Sequence, residues 1–465
     1  MQHRQRRCFS QVARALLLSG SLLFLSCCAN HDASAPKQAQ AILPAEKAGK
    51  QYVLDNQWWQ AYKDPHLDKL VNEVLTQNVD LGKSIVALQK AGYQAKLAGA
   101  ELIPTFSADT SADSSRDLKS GDSGESYQSG LSLAYEIDLW QRLRHATSAL
   151  EWEHTATAAD AEAVRLSLIN STVDTYFQLR YLHQAIAITT GNVERNRELL
   201  AIIKTKYQLG KVARVEVLQA EQTLLAGEQQ LIDLENSLAS SEETLRNLLN
   251  ATPDTPLVFD QKDLLKLRSV PVNLDVPLAA LAARPDIQAA EARFQSAFKS
   301  MESEKAGWYP TLTIGSTLGA TSDTASRYFD IPFLSGTVKV AFPFLDWNRV
   351  RFNIKISEAD YETARLDFTK TVITALNEVQ AAYIASQKSA QSLEKTREKY
   401  DKDVQVSAYY RDRYELGSAE LKDYLDAVNT EDSSLLEVLQ AKYSLLASEN
   451  QVYQAMGGRY SKKER

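Results

Sequence analysis

The chain has three cysteines in 465 residues, and all of them lie in its first 28 positions: Cys8, Cys27 and Cys28. The rest of the sequence therefore holds no disulfide framework, and its stability has to come from packing. Glycine (18) and proline (12) are scarce for this length, which favours long uninterrupted elements over a loop-rich fold. Charged residues make up 24% of the chain, and no apolar run of 18 residues occurs beyond the leader, so no helix of the body is expected to span a membrane. The six histidines (His3, His31, His66, His145, His154 and His183) show no metal-ligand spacing. There is no glycine-rich phosphate loop and no Gly-x-Ser-x-Gly elbow. No enzyme and no resident cofactor is expected.

What is present begins with a leader. Arg4, Arg6, Arg7 and Arg14 form a basic stretch, and Ala15 to Leu25 form a short apolar one. That is the pattern of a secretory signal. The segment Leu25-Ser26-Cys27-Cys28-Ala29-Asn30 resembles a bacterial lipobox, in which the cysteine after the cut carries the lipid. Cys28 fits best, Cys27 is the fallback acceptor, and ordinary signal cleavage nearby is the plainer alternative. Ala29 in the second position suggests export onward to the outer membrane. Removing residues 1–27 takes away four arginines and no acids, leaving 48 basic against 59 acidic residues and a formal charge of −11 instead of −7. That acidity argues against a nucleic-acid partner.

The body is written twice. Tyr207-Gln-Leu-Gly210 runs into Val215-Glu-Val-Leu-Gln, and 207 residues later Tyr414-Glu-Leu-Gly417 runs into Lys422-Asp-Tyr-Leu-Asp. A repeat of that length is a duplicated half-molecule rather than a solenoid of short units. Each half opens with helical spacing, as in Leu67, Leu70, Val71, Val74, Leu75, Leu81, Ile85 and Leu88. At Pro104 and again at Pro310 the period changes to two. The clearest alternations are Leu131, Leu133, Tyr135, Ile137 and Leu139 in the first half, then Val338, Val340, Phe342 and Phe344 in the second. Four segments of about 10 residues suit tilted strands crossing a bilayer, and the aromatic residues at their ends suit its interfaces. Each hairpin leads into a very long helical pattern: 141–207 holds one glycine and no proline, and 348–414 holds neither. Such a helix would run for about 100 Å. Trp58-Trp59 is expected to pack against the body.

The expected layout is a signal at 1–27 and a flexible tether at 28–55. A first repeat at 56–252 carries a hairpin at 104–139 and a helical hairpin at 141–250. An irregular connector at 253–283 follows. The second repeat, 284–457, carries a hairpin at 310–345 and a helical hairpin at 348–456, and 458–465 is a tail. Several pieces carry a family resemblance across residues 55–457: Arg284-Pro-Asp-Ile287, Tyr135-Glu-Ile-Asp-Leu-Trp140, Pro310-Thr-Leu-Thr313, both Tyr-x-Leu-Gly turns and the lipobox. In these the chain resembles the TolC/OprM outer-membrane efflux channels, in their lipoprotein, NodT-like branch. The implied fold is mostly α with a β membrane portion: a coiled-coil-like helical barrel and four transmembrane strands per chain, pooled into twelve in a homotrimer. Elementary physics points the same way. Four strands cannot close, an open edge cannot face lipid, and an eight-stranded dimer would fill its own interior with side chains.

The resemblance implies a conduit from the periplasm to the exterior, working with a periplasmic adaptor and an inner-membrane pump, RND rather than ABC. Its only bound group would be the covalent N-terminal lipid, such as palmitate. The two turns become adaptor-docking tips, with Gly210, Lys211, Val212, Val215 and Leu218 on one and Gly417, Ser418, Ala419 and Leu421 on the other. As plain structure they are ordinary helix-hairpin turns with glycine caps. Asp423 and Asp426 match the family's paired aspartates at the closed periplasmic end, where a trimer would ring them around one axis; the bland alternative is an acidic helix start favoured by the helix dipole. Lys339, on the inward register of its strand, is a lumen residue, either a selectivity element or merely hydrated. The sequence leaves two other readings: a conduit for type I-like protein secretion, and a periplasmic structural lipoprotein without a pore.

Overall fold

The computed structural model describes residues 52–257, 263–270, 278–327 and 332–462. Cys27 and Cys28 lie outside the described residues. The chain starts with strand β1 (Tyr52–Asp55) and helices α1 (Pro65–Gln77) and α2 (Val79–Gly99). Strands β2 (Thr105–Arg116) and β3 (Ser123–Ile137) lead into α3 (Arg142–Gln208) and α4 (Arg214–Leu248). The second half repeats this order with α5 (Pro285–Ala306), β4 (Thr311–Ser322), β5 (Pro332–Ala341), α6 (Trp347–Glu415) and α7 (Leu421–Ala455). Strand β6 (Arg459–Lys462) follows.

The two long helices have 67 and 69 residues, so each rises for about 100 Å. Their many serines and threonines are tolerated because the hydroxyls bond back to a carbonyl one turn earlier, as Thr155 does to Glu151 and Thr172 to Leu168. Pairs such as Glu162–Arg165 and Glu362–Arg365 lie three residues apart and lace the outer faces. Helix α3 packs on α4, α6 on α7, and α3 also meets α7, so the four helices form one wall. The main core sits where α1 crosses this wall. Trp58, Trp59, Leu67 and Val71 pack there against Ile169, Val173, Tyr176, Phe177, Leu446 and Tyr453. The adjacent indoles are therefore core, at 0% and 2% exposure. Beside them Asp64 accepts from Arg180 at 2.6 Å and from the Tyr176 hydroxyl at 2.8 Å, all of it buried.

Several boundaries differ from the sequence reading. The single opening helix is two, broken at Asn78, whose side chain accepts from the N–H groups of Asp80 and Leu81 and donates to the Leu248 carbonyl. The apolar spacing runs through this break and hides it. The polar stretch from Ser114 to Ser126, which lacks any alternation, is mostly strand, with only residues 117–122 turning. There the strands are polar on both faces, so no alternation marks them. In the second half the strand ends at Ala341 rather than Phe344, because Pro343 opens a short 3-10 helix. Finally, neither the tether nor the tail is wholly irregular: β1 pairs antiparallel with β6, Tyr52 opposite Lys462.

Candidate functional site

The four longer strands form one antiparallel sheet in the order β2-β3-β4-β5. Because side chains alternate and directly paired residues share a face, the register assigns each residue to one of two surfaces. One surface carries Ser107, Asp109, Ser111 and Asp113, then Gln128, Ser132 and Glu136. It continues with Thr313, Thr317 and Thr321, and ends with Ser335, Thr337 and Lys339. The other carries Phe106, Ala108, Leu131, Leu133, Tyr135, Ile137, Leu312, Ile314, Leu318, Leu334, Val338 and Val340. The sheet is thus polar on one side and apolar on the other. Phe106, Leu334 and Val338 remain 71–75% exposed in the single chain.

The polar face is shaped by glycine. Phe333 leans across Gly319, where a Cβ would lie 2.8 Å from its ring, and Asp109 lies over Gly130. Ser132 and Thr317 share a hydrogen bond at 3.1 Å across β3 and β4. At the helix end of the sheet, aromatic residues gather. Trp140 donates to the Pro310 carbonyl at 2.9 Å and stacks on Tyr309 at 4.7 Å, and Phe342 meets Phe344 edge-on at 5.7 Å. Asp138 turns the chain from strand to helix by accepting from the N–H groups of Leu143 and Arg144, and Arg142 pairs with Glu136 at 2.8 Å.

The two Tyr-x-Leu-Gly turns lie at the far ends of the long helices. Each closes as a Schellman cap: Lys211 N–H reaches the Lys206 carbonyl at 2.9 Å and Ser418 N–H the Arg413 carbonyl at 2.8 Å. Gly210 and Gly417 both sit at φ +70°, and a Cβ on either would meet nothing within 4 Å. The turns are otherwise unequal. Arg413 donates to the Ser418 carbonyl at 2.8 Å and lies over the Tyr409 ring, while Tyr414 stacks on Tyr424 at 5.8 Å.

Of the tip residues read from the sequence, Lys211, Val215, Leu218, Gly417 and Ser418 are exposed, whereas Ala419 and Leu421 are half-buried. Val212 instead packs into the hairpin's own cluster of Leu199, Leu200, Ile203 and Ala220. The sequence reading passed over Leu209 and Leu416, which are 66% and 83% exposed. The signal was in the motif: a leucine at the C-cap, directly before a left-handed glycine, projects off the end of the hairpin.

Asp423 and Asp426 are both exposed at the start of α7, but they are not equivalent. Asp426 is held by Lys422 of its own helix at 2.7 Å. The Lys422 ammonium is shifted up by Asp426 first, with Asp423 and Glu216 adding to it. Glu216, the first-repeat counterpart of Asp423, therefore lies close enough to act on the same lysine.

Further up the wall, Arg284 of the Arg-Pro-Asp-Ile segment binds Asp286 and Glu378 and donates to the Ala455 carbonyl at 2.5 Å. It joins the start of the second repeat to its last helix. Nearby, Glu449 is buried and accepts from Ser269 and from Val270 N–H. Burial pushes its carboxyl up to about 7, against those bonds and the neighbouring Lys442, while burial lowers Lys442.

A family model described as outer membrane efflux protein matches residues 70–251 and 276–458, one segment on each repeat. The chain is 38% identical over 441 residues to the toxin and drug export protein A of Aggregatibacter actinomycetemcomitans, covering 95% of this chain and 96% of that protein. It is 23% identical to the probable outer membrane lipoprotein SilC of Salmonella typhimurium, over 87% of this chain and 88% of that one. Among solved structures, the outer-membrane channel OprN aligns with a TM-score of 0.78 at 24% identity, covering 87% of this chain and 93% of that chain.

Proposed function

The chain belongs to the outer membrane efflux protein family, and from that premise we propose that it is the outer-membrane channel of a tripartite efflux system. It resides in the outer membrane, as the family does. The observation that carries the conduit reading is the sheet: one face polar, one apolar, and both outer strands without a pairing partner among the described residues. In lipid each open edge would strand a row of backbone N–H and C=O groups. Closure by further copies satisfies them, and three copies supply twelve strands around a polar lumen. The apolar face then meets lipid, and the aromatic cluster at Trp140, Tyr309 and Phe344 sits at the periplasmic interface.

Solute would move passively through this tube. The long helices extend it into the periplasm, where the turns at Gly210 and Gly417 meet an adaptor fed by an RND pump. Cys28, or Cys27, carries the lipid that holds the N-terminus in the membrane. Transported compounds are drugs or other toxic small molecules. A second reading, a conduit for a secreted toxin, is favoured by one observation: the relative from Aggregatibacter is named for toxin as well as drug export.

Gene deletion followed by an antimicrobial and metal susceptibility panel tests the small-molecule reading, with loss of resistance to several unrelated compounds expected. An unchanged panel together with loss of a secreted protein from the medium would favour the second reading. The conduit itself is tested with purified protein in planar bilayers. A non-conducting, detergent-independent species there would sink it in favour of a structural lipoprotein.

A further inference from the structure

The two halves of the chain carry enough information to dock one copy on the next. Adding 206 to a residue of β2 and 207 to a residue of β3 converts the first hairpin into the second: Thr105 opposite Ala134 becomes Thr311 opposite Ala341, and Ser107 opposite Ser132 becomes Thr313 opposite Lys339. The contact between repeats is also defined, since β3 pairs with β4 and places Ser132 opposite Thr317. If copies join as repeats join, the same offsets turn Ser132 into Lys339 and Thr317 into Ser111. We infer that β5 of one protomer pairs with β2 of its partner in this one register, with Lys339 opposite Ser111 of the partner subunit and flanked by the partner's Asp109 and the partner's Asp113.

One feature supports that register directly, and two more contacts follow from the same offsets. First, charge: Asp109, Asp113 and Lys339 all lie on the polar face, on the two edge strands. The diagonal neighbours two residues from a directly opposed pair are within reach of a lysine. Second, the apolar face: Leu131 opposite Leu318 becomes Val338 opposite the partner's Ala112, and Leu133 opposite Ser316 becomes Val340 opposite the partner's Thr110, so two valines exposed in the single chain come to the seam. A slip of one residue would reverse the face of every side chain, and a slip of two would move Lys339 opposite one aspartate and away from the other.

Third, the helices: α5 rests on α3 through Ser296, which donates to the Ala149 carbonyl, and Ser303, which donates to the Arg142 carbonyl. The same offsets place the partner's Lys90 over Ile356 and the partner's Leu97 over Arg349. Leu97 and Ile356, 73% and 60% exposed in the single chain, thereby become seam residues. Lys339 is then a seam cation that neutralises two lumen carboxylates, not a free selectivity charge.

This inference rests on the proposed trimeric channel, and the test separates the two. Full-length protein carrying Lys339→Cys with Ser111→Cys is oxidised in detergent and run without reducing agent, beside each single variant. A ladder ending at the covalent trimer is expected. Lys339→Cys with Ser107→Cys, on the same face but four residues away, should stay uncrosslinked. In parallel, Lys339→Glu should lower the temperature at which the trimer dissociates by several degrees, and combining it with Asp109→Lys and Asp113→Lys should recover most of the loss. An intact conducting trimer without the 339–111 crosslink, or with the 339–107 crosslink in its place, overturns the register alone. Absence of any trimer or conductance in the unmodified protein overturns the channel reading beneath it.

Discussion

At the residue scale the molecule is held by a few buried charges, and these make sharp predictions. Asp64 and Arg180 are almost fully buried and meet at 2.6 Å. Removing the cation leaves a buried carboxylate that accepts neutral hydrogen bonds from the Tyr176 hydroxyl and the His66 N–H. Breaking one side of such a pair costs about 3 kcal/mol or more, so Arg180→Ala should lower the denaturation midpoint clearly. A change no larger than that of a surface arginine such as Arg349→Ala would contradict this role. Glu449 behaves differently because burial raises its carboxyl to about 7 from an ordinary 4.5. The folded protein then holds this proton more tightly than the unfolded chain. Its contribution to stability is present below the unfolded value and is lost as pH rises through about 7. On the order of 3 kcal/mol is at stake across that window. Glu449→Gln should flatten the melting-temperature profile between pH 5 and 8, and an unaltered slope would remove Glu449 from the account. Neither feature is legible in the sequence: Asp64 and Arg180 lie far apart in the chain, and nothing in the local sequence around Glu449 says that residues 269–270 fold over it.

At the scale of elements, legibility followed the contrast between faces. The long helices were readable because Leu166, Ile169, Val173 and Tyr176 keep helical spacing and neither proline nor a turn interrupts them. The strands were readable where one side is greasy, as at Leu131, Leu133 and Tyr135, and unreadable at Ser111 to Arg116, where both sides are polar. The break at Asn78 escaped for the opposite reason, since the apolar stripe crosses it without a change of period. Its job is nonetheless definite. The side chain caps α2 with bonds of 2.9 and 3.1 Å and ties it to the end of α4 at 3.0 Å. Replacing such a cap by alanine costs about 1 kcal/mol, and losing the bond to Leu248 adds to that. Asn78→Ala should therefore melt several degrees lower, whereas Asn78→Asp should keep the cap and lose only the bond to Leu248. If the two variants melt together at the wild-type temperature, the cap is dispensable.

At the scale of the whole molecule, the duplication supplies two similar hairpins that differ just past their turns. The first repeat presents Glu216 and Gln219 where the second presents Asp423 and Asp426. The structure sharpens the difference by pairing Asp426 with Lys422 and leaving Asp423 at the exposed start of α7. In a three-fold assembly with α7 lining the closed end, Asp423 would form the stronger carboxylate ring, because the Asp426 charge is already offset within each chain. Three carboxylates around an axis attract cations and slow their passage. The double variant Asp423→Ala with Asp426→Ala should thus raise single-channel conductance in planar bilayers and weaken block by Mg2+ added to the periplasmic side. Among single variants, Asp423→Ala should weaken the block more than Asp426→Ala. Lys422→Gln should strengthen it, since it releases the second ring from its internal counter-charge. Conductance and block unchanged in the double variant would return these aspartates to the ordinary role of acids at a helix N-terminus, and the constriction would have to be sought elsewhere along the wall.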